Sequence, residues 1–160
     1  MLADDLFARY AVPVYQYFRR MTGHADDAGD LTQEVFLRIV GSQHRYEPRG
    51  REAAWVFRIA RNVLAKRRRS ASRSTETALA DAEVAYEPDR VLAIGFEEAL
   101  RLLQKLDRDV YLLREQGGLT YEEVAALCGL TQDGVRARLR RTRDQIRRLV
   151  ALRLSDRTGE

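Results

Sequence analysis

The sequence predicts an all-α protein: two small helical domains joined by a flexible acidic linker, with a helix-turn-helix in the second. Three observations lead there. Apolar residues recur at three- and four-residue spacings, while no stretch alternates apolar and polar for long and β-branched residues never cluster. A small, polar, aperiodic segment interrupts the helical pattern, giving divisions at 1–74, 75–90 and 91–160. Charge is also unevenly laid out: residues 1–40, 41–74, 75–119 and 120–160 carry net −2, +8, −5 and +3, within a total of +4. A length of 160 residues suffices for one ordinary domain or two very small ones, and this map favours two. Two basic blocks flanking an acidic one point to a polyanionic partner, with nucleic acid the leading candidate.

The first helix is predicted from about Asp4 to Met21, with Phe7, Tyr10, Val14, Tyr17 and Phe18 as its apolar stripe and a kink or restart at Pro13. A second begins near Asp26. Asp26, Asp27 and Asp30 lie in its first turns, where negative charge suits the helix dipole. Ala28, Leu31, Val35 and Ile39 form its inner side, and Asp27, Asp30, Gln33, Glu34 and Arg38 its solvated one. Gly41–Ala53 reads as a loop, broken by Pro48 and Gly50 and made basic by Arg45, Arg49 and Arg51. A third helix, Ala54 to Arg69, turns Val56, Ile59, Ala60 and Val63 inward and leaves Arg58, Arg61, Asn62, Lys66 and Arg67 to Arg69 outside. Trp55 at its start reads as a packing anchor rather than a stacking plane.

Ser70 to Asp89 is expected to be a coil; such a length has a root-mean-square span of roughly 25 Å and a limit of about 70 Å. Leu92, Phe96, Ala99, Leu103 and Leu106 mark a fourth helix, and Asp107 caps a fifth carrying Val110 and Leu113. From Gly118 to Val150 the chain reads as a helix, a short turn and a second, arginine-loaded helix, the pattern of a DNA-reading helix-turn-helix. Thr120 and Glu123 form a capping box, Val124 and Leu127 supply the buried side, Gly129 makes the turn, and Thr131 caps the second helix. Val135, Leu139, Ile146 and Leu149 face inward, opposite Arg136, Arg138, Arg140, Arg141 and Arg143, whose forks suit phosphates and guanine edges.

No catalytic residue is identified. Phosphate-cradling glycine loops, nucleophile elbows and zinc-protease helices are missing, and adjacent carboxylates such as Glu97 with Glu98 splay apart on a helix instead of converging. His24 and His44 have no partners at metal-ligand spacing, so no metal and no cofactor is expected. Cys128, among Ala125, Ala126 and Leu127, reads as packing. With neither a long apolar run nor a secretory signal, the chain is expected to be cytoplasmic, with no membrane insertion, no small-molecule substrate and no room for a further regulatory domain after the last helix.

The order of these parts resembles the extracytoplasmic-function class of bacterial sigma factors, over nearly the whole chain. DAGDLTQEVFLRIV at Asp27 to Val40 is similar to the family's polymerase-clamp helix, WVFRIARN at Trp55 to Asn62 to its promoter-melting helix, and Leu103 to Arg143 to its fourth region. The resemblance implies a transcription initiation factor without catalysis of its own. Its partners would be core RNA polymerase, through the largest subunit's clamp coiled coil and the flap, and promoter DNA, with an anti-sigma factor as a further partner that could hold it at the membrane. Residues 1–74 would bind the clamp and recognise the minus-ten element, and residues 91–160 would recognise the minus-35 element.

By the same resemblance, Asp30, Gln33 and Glu34 dock on polymerase, where negative side chains suit a basic surface. Arg58, Arg61, Asn62 and Lys66 hold the parted minus-ten strand, and Gln132, Arg136, Arg138, Arg140 and Arg141 read the minus-35 duplex. Three positions depart from the family pattern. Glu52 stands where an aromatic residue is frequent, so no residue of the base-trapping loop 41–53 is assigned; Asp107 replaces a common proline, and Gly134 a usual threonine. Two rival readings remain open: a sigma-like decoy that occupies an anti-sigma factor without touching DNA, against which the outward arginines argue, and a dimeric repressor, for which no dimerisation seam is evident.

Overall fold

The computed structural model describes residues 2–47, 50–73 and 88–159, with the side chains of residues 73, 88–94, 157 and 158 left aside. Among these residues there are seven α-helices and no strand: α1 (Leu2–Thr22), α2 (Ala25–Ser42), α3 (Glu52–Arg73), α4 (Pro88–Leu102), α5 (Lys105–Glu115), α6 (Tyr121–Cys128) and α7 (Gln132–Thr158). A single 3-10 turn, Gln43–Arg45, follows α2. The fold is therefore all-α. Of the predicted linker, residues 75–87 lie outside the described residues, and 88–90 open α4.

α1 and α2 form a hairpin across Gly23, whose φ of 80° is available cheaply only to glycine. The inner side of α2 is the predicted one, with Ala28, Leu31, Val35 and Ile39 buried, and Phe36 joins them. On α1 the stripe is rotated at its start: Leu6 is buried, and Phe7 is 56% exposed, its ring packed edge-on against Phe36 at 5.0 Å. α1 also runs unbroken through Pro13. Proline removes one hydrogen bond, but Leu6 before it and Val14, Tyr17, Phe18 and Met21 after it are all buried, and that packing holds both segments in one helix.

α3 starts at Glu52 and continues to Arg73, so Ser70–Arg73 are helical where coil was expected. Once started, a helix adds a hydrogen bond per residue, and SASR contains no breaker. Phe57 and Leu64 are buried in addition to Val56, Ala60 and Val63, because α3 is covered on two sides. α7 likewise outruns its apolar pattern, reaching Thr158, with Arg153 gripping Glu98 of α4 through two bonds of 2.6 and 2.8 Å.

α5 begins two residues before Asp107. Gln104 is its N-cap and Asp107 sits in the first turn, still favourable to the dipole, but its carboxylate goes to Arg138 at 2.8 Å. Arg108 closes the α4–α5 corner by donating to the carbonyls of Leu100, Arg101 and Leu103. The helices before residue 74 and those after 88 share one buried apolar cluster. Gly117, after α5, makes this approach possible: a Cβ there would meet the Leu113 carbonyl oxygen at 2.8 Å and the Phe57 ring of α3 at 3.1 Å.

Candidate nucleic-acid interface

The helix-turn-helix is built from local rules. Thr120 Oγ1 accepts the Glu123 N–H at 3.1 Å while the Glu123 carboxylate accepts the Thr120 N–H at 3.0 Å, closing the capping box. Gly129 ends α6 in the left-handed region at φ 66°, and Thr131 Oγ1 accepts the Gly134 N–H at 3.0 Å to start α7. Val124, Val135, Leu139 and Ile146 are buried, and Leu127 and Leu149 are half-buried.

Of the predicted minus-35 readers, Gln132, Arg136, Arg140 and Arg141 are exposed on the first turns of α7. Arg136 reaches Asp133 at 3.2 Å and lies over the Tyr121 ring at 5.4 Å. Arg138 is turned away from them toward Asp107, with both side chains only 27% and 21% exposed. Arg143 is similarly drawn to Glu115, at 2.5 Å.

On α3 a similar split appears. Arg58, Asn62 and Lys66 are exposed, whereas Arg61 is half-buried and points across to α5 and α6. Arg61 Nε donates to Asp109 Oδ2 at 2.9 Å, and its Nη1 to the Leu127 carbonyl. Burial is the strongest single influence on Arg61 and opposes its charge, but the Asp109 carboxylate, Cys128 and Tyr17 together outweigh it and raise its pKa. Asp109 also accepts the Tyr17 hydroxyl at 2.7 Å, and burial, with Asp109 beside it, pushes the Tyr17 pKa well above the usual phenol value. Sequence periodicity carried no sign of this triad, since its members are 44, 48 and 92 positions apart.

Trp55 is half-buried, its ring 4.8 Å from that of Tyr46, neither deep in the core nor freely exposed. Both line a cleft of about 640 Å³ with Arg45, Arg51 and Arg58 on one wall and Glu122 and Leu127 of α6 on the other. Glu52, at the start of α3, takes Arg9 at 3.0 Å; burial, and after it the Glu52 carboxylate, raises the pKa of Tyr10 and Tyr46.

On the far side of the hairpin, Asp30, Gln33 and Glu34 are exposed together on α2. Beside them Leu37 and Val40 are 67% and 54% exposed, and with Phe7 they line a shallow groove of about 480 Å³. The acidic residues were legible in the sequence; the apolar strip beside them was not, because Phe7 was assigned to the core.

Among the described residues no cluster of His, Cys, Asp and Glu could hold a metal, and no helix is long and apolar enough to cross a membrane. Cys128 is half-buried, and burial pushes its thiol pKa up to about 11.

Residues 6–74 match the Sigma-70 region 2 family and residues 95–146 the Sigma-70 region 4 family. The chain is 32% identical to the ECF RNA polymerase sigma factor EcfG of Rhodopseudomonas palustris, over 93% of this chain and 84% of that one. It is likewise 32% identical to the RNA polymerase sigma factor CarQ of Myxococcus xanthus, over 92% and 88%. Two solved structures share the fold. The sigma factor RpoE of Bartonella quintana, in complex with the anti-sigma factor NepR, superposes with a TM-score of 0.75 at 22% identity, over 92% of this chain and 96% of that one. CnrH, in complex with the cytosolic domain of CnrY, gives 0.69 at 24%, over 94% and 88%. Identity of that order, sustained across nearly the full span of both relatives, establishes kinship: the chain belongs to the extracytoplasmic-function RNA polymerase sigma factors, which direct transcription initiation to particular promoters.

Proposed function

We propose that the chain engages its promoter and polymerase through three separate faces, with no catalysis of its own. Asp30, Gln33 and Glu34 on α2, with the apolar strip of Phe7, Leu37 and Val40, dock on the clamp coiled coil of the largest polymerase subunit. Arg58, Asn62 and Lys66 on α3 hold the parted minus-ten strand, joined by Arg61 once it is released from Asp109. Gln132, Arg136, Arg140 and Arg141 on α7 enter the minus-35 major groove, while Arg138 braces the helix through Asp107. Residues 1–74 and 91–160 act as the two promoter-reading units, and the flap of polymerase holds the second. The working place is the cytoplasm; an anti-sigma factor covering the α2 groove would keep the chain from polymerase, and a membrane-bound one would hold it at the membrane.

The observation that carries this reading is the capped helix-turn-helix with four exposed polar residues on the leading turns of α7. Each set offers a handful of contacts, giving weak, salt-dependent binding alone, but one large enzyme holding both makes the second contact effectively intramolecular. Run-off transcription with purified core polymerase on a promoter library tests it. Accurate starts that need the added chain support the reading; polymerase binding without promoter-dependent starts would identify a decoy instead.

A further inference from the structure

Three arginines gather on one ring at the foot of the helix-turn-helix. Tyr121 opens α6 and is half-buried against the apolar core, so its ring is seated in place. The Arg114 guanidinium, from the last turn of α5, lies over that ring at 4.7 Å from its centroid, and the Arg136 guanidinium, from α7, at 5.4 Å. Arg114 also donates to the Leu119 carbonyl at 2.8 Å, tying down the turn that leads into α6. Arg143 is drawn to the same residue: its pKa is raised chiefly by its hydrogen bond to Glu115 and also by one to the Tyr121 hydroxyl.

This support separates Arg136 from its neighbours. Arg140 and Arg141 are exposed, and among the described residues neither makes an ion pair or a ring contact. Asp133 also reaches Arg136, at 3.2 Å, but its side chain is 94% exposed, and a pair so open to water fixes a long side chain weakly. The ring is the firmer hold. Its electron-rich face attracts the guanidinium without consuming the N–H donors that would point at DNA. That difference matters for readout: a phosphate accepts a cation in many poses, whereas a guanine edge takes two parallel N–H bonds only from a fork held in one.

Resting on the assignment of α7 to the minus-35 duplex, we propose that Tyr121 is a positioning residue for promoter specificity: its seated ring holds the Arg136 fork in the pose that selects a guanine edge. Tyr121 acts through Arg136, and the site it shapes is one base pair of the element.

The test uses the polymerase-bound chain and a promoter library randomised across the minus-35 element, with the bound fraction sequenced. Arg136→Ala should flatten the preference at one position by about tenfold, equivalent to ~1.4 kcal/mol, and so locate where the fork reads. Tyr121→Leu should flatten that same position by a similar factor and leave the other positions as they are in the parent. Tyr121→Phe, which keeps the ring, should retain the parent's preference, and Tyr121→Leu combined with Arg136→Ala should be no flatter than Arg136→Ala alone. An affinity loss spread evenly over all sequences, with every preference intact, would make Tyr121 a phosphate contact or a packing residue and overturn the proposal.

A second series holds shape constant. Fluorinated forms of the Tyr121→Phe variant, with one, two and three ring fluorines, drain the negative face stepwise. Preference at the Arg136 position should fall with each fluorine while the urea midpoint stays that of Tyr121→Phe; a preference that stays level across the series overturns the proposal. Failure of the wider assignment reads differently. If Arg136→Ala leaves every base preference as in the parent, α7 does not read bases through Arg136 and this inference falls with that reading, whereas a position flattened by Arg136→Ala and untouched by the Tyr121 variants refutes the positioning role alone.

Discussion

Arg138 and Arg140 lie two residues apart on the same helix, and alanine substitution should affect them in opposite ways. The Arg138 guanidinium is 2.8 Å from the Asp107 carboxylate, and both side chains are about three-quarters removed from solvent. Fully exposed ion pairs contribute about 0.2–1 kcal/mol, while hydrogen bonds to charged groups in protected positions reach about 1.5–3 kcal/mol. A pair of intermediate exposure falls between these ranges, so Arg138→Ala should cost about 1–1.5 kcal/mol of stability. Arg140 is exposed, and its removal should shift stability by no more than about 0.5 kcal/mol. Urea unfolding of the parent, Arg138→Ala, Asp107→Ala and the double variant gives the coupling directly; the double variant should be little less stable than either single one. Promoter affinity of the polymerase-bound chain, measured against salt, should fall for Arg140→Ala, with the log–log slope flattened by about 0.9 for each phosphate that is no longer neutralised. If Arg138→Ala unfolds at the parent's urea midpoint and loses promoter affinity as Arg140→Ala does, Arg138 is a DNA-binding residue and the reasoning from its partner is wrong.

Reversing charge with Asp30→Lys and Glu34→Lys should lower polymerase affinity at least tenfold by pull-down or fluorescence titration, ~1.4 kcal/mol, without loss of helix content; unchanged affinity would remove these residues from the docking face. Thr120→Ala removes the side-chain half of the capping box, leaving the residue-120 N–H to Glu123, and should destabilise the helix-turn-helix by about 1 kcal/mol, read from urea unfolding, whereas Thr120→Ser should be close to neutral. With its pKa raised to about 11, the Cys128 thiol stays protonated up to and beyond pH 9, so the folded chain should react with a thiol-specific disulfide at pH 8 far more slowly than the urea-unfolded chain. Equal rates would show that this thiol is not shielded.

Features set by residues near one another in sequence were readable from it. The Thr120–Glu123 box, the Gly129 turn, the Thr131 cap and the inner side of α2 all follow from short-range spacing, and all are present. Features that depend on what a second element covers were not. Periodicity found one apolar side of α3, but Phe57 and Arg61, one turn apart, form another that is covered only because α5, α6 and the Gly117 turn lie against it. The same limit explains Arg138: an arginine on a recognition helix looks outward until Asp107, 31 positions earlier, is brought beside it. The predicted ends, Arg69 for α3 and near Val150 for α7, fall short because apolar spacing has already stopped there, while hydrogen bonding carries α3 on to Arg73 and α7 to Thr158. At Phe7 the spacing itself was ambiguous, since Leu6 and Phe7 are adjacent apolar residues and only the hairpin partner selects between them.

The length of α7 has a mechanical consequence. At 27 residues it is a rod of about 40 Å, steered at its tail by the double clasp of Arg153 on Glu98 and carrying Gln132 and Arg136 at its tip. A swing of about 6° about Arg153 displaces Gln132, about 31 Å away, by about 3.3 Å, close to the rise of one base pair. If the tip reads the minus-35 duplex as proposed, whatever grips α4 sets which base step the tip meets, and a substitution at Glu98, about 30 Å along α7 from Gln132, should alter the preferred spacer length between promoter elements before it alters their sequence.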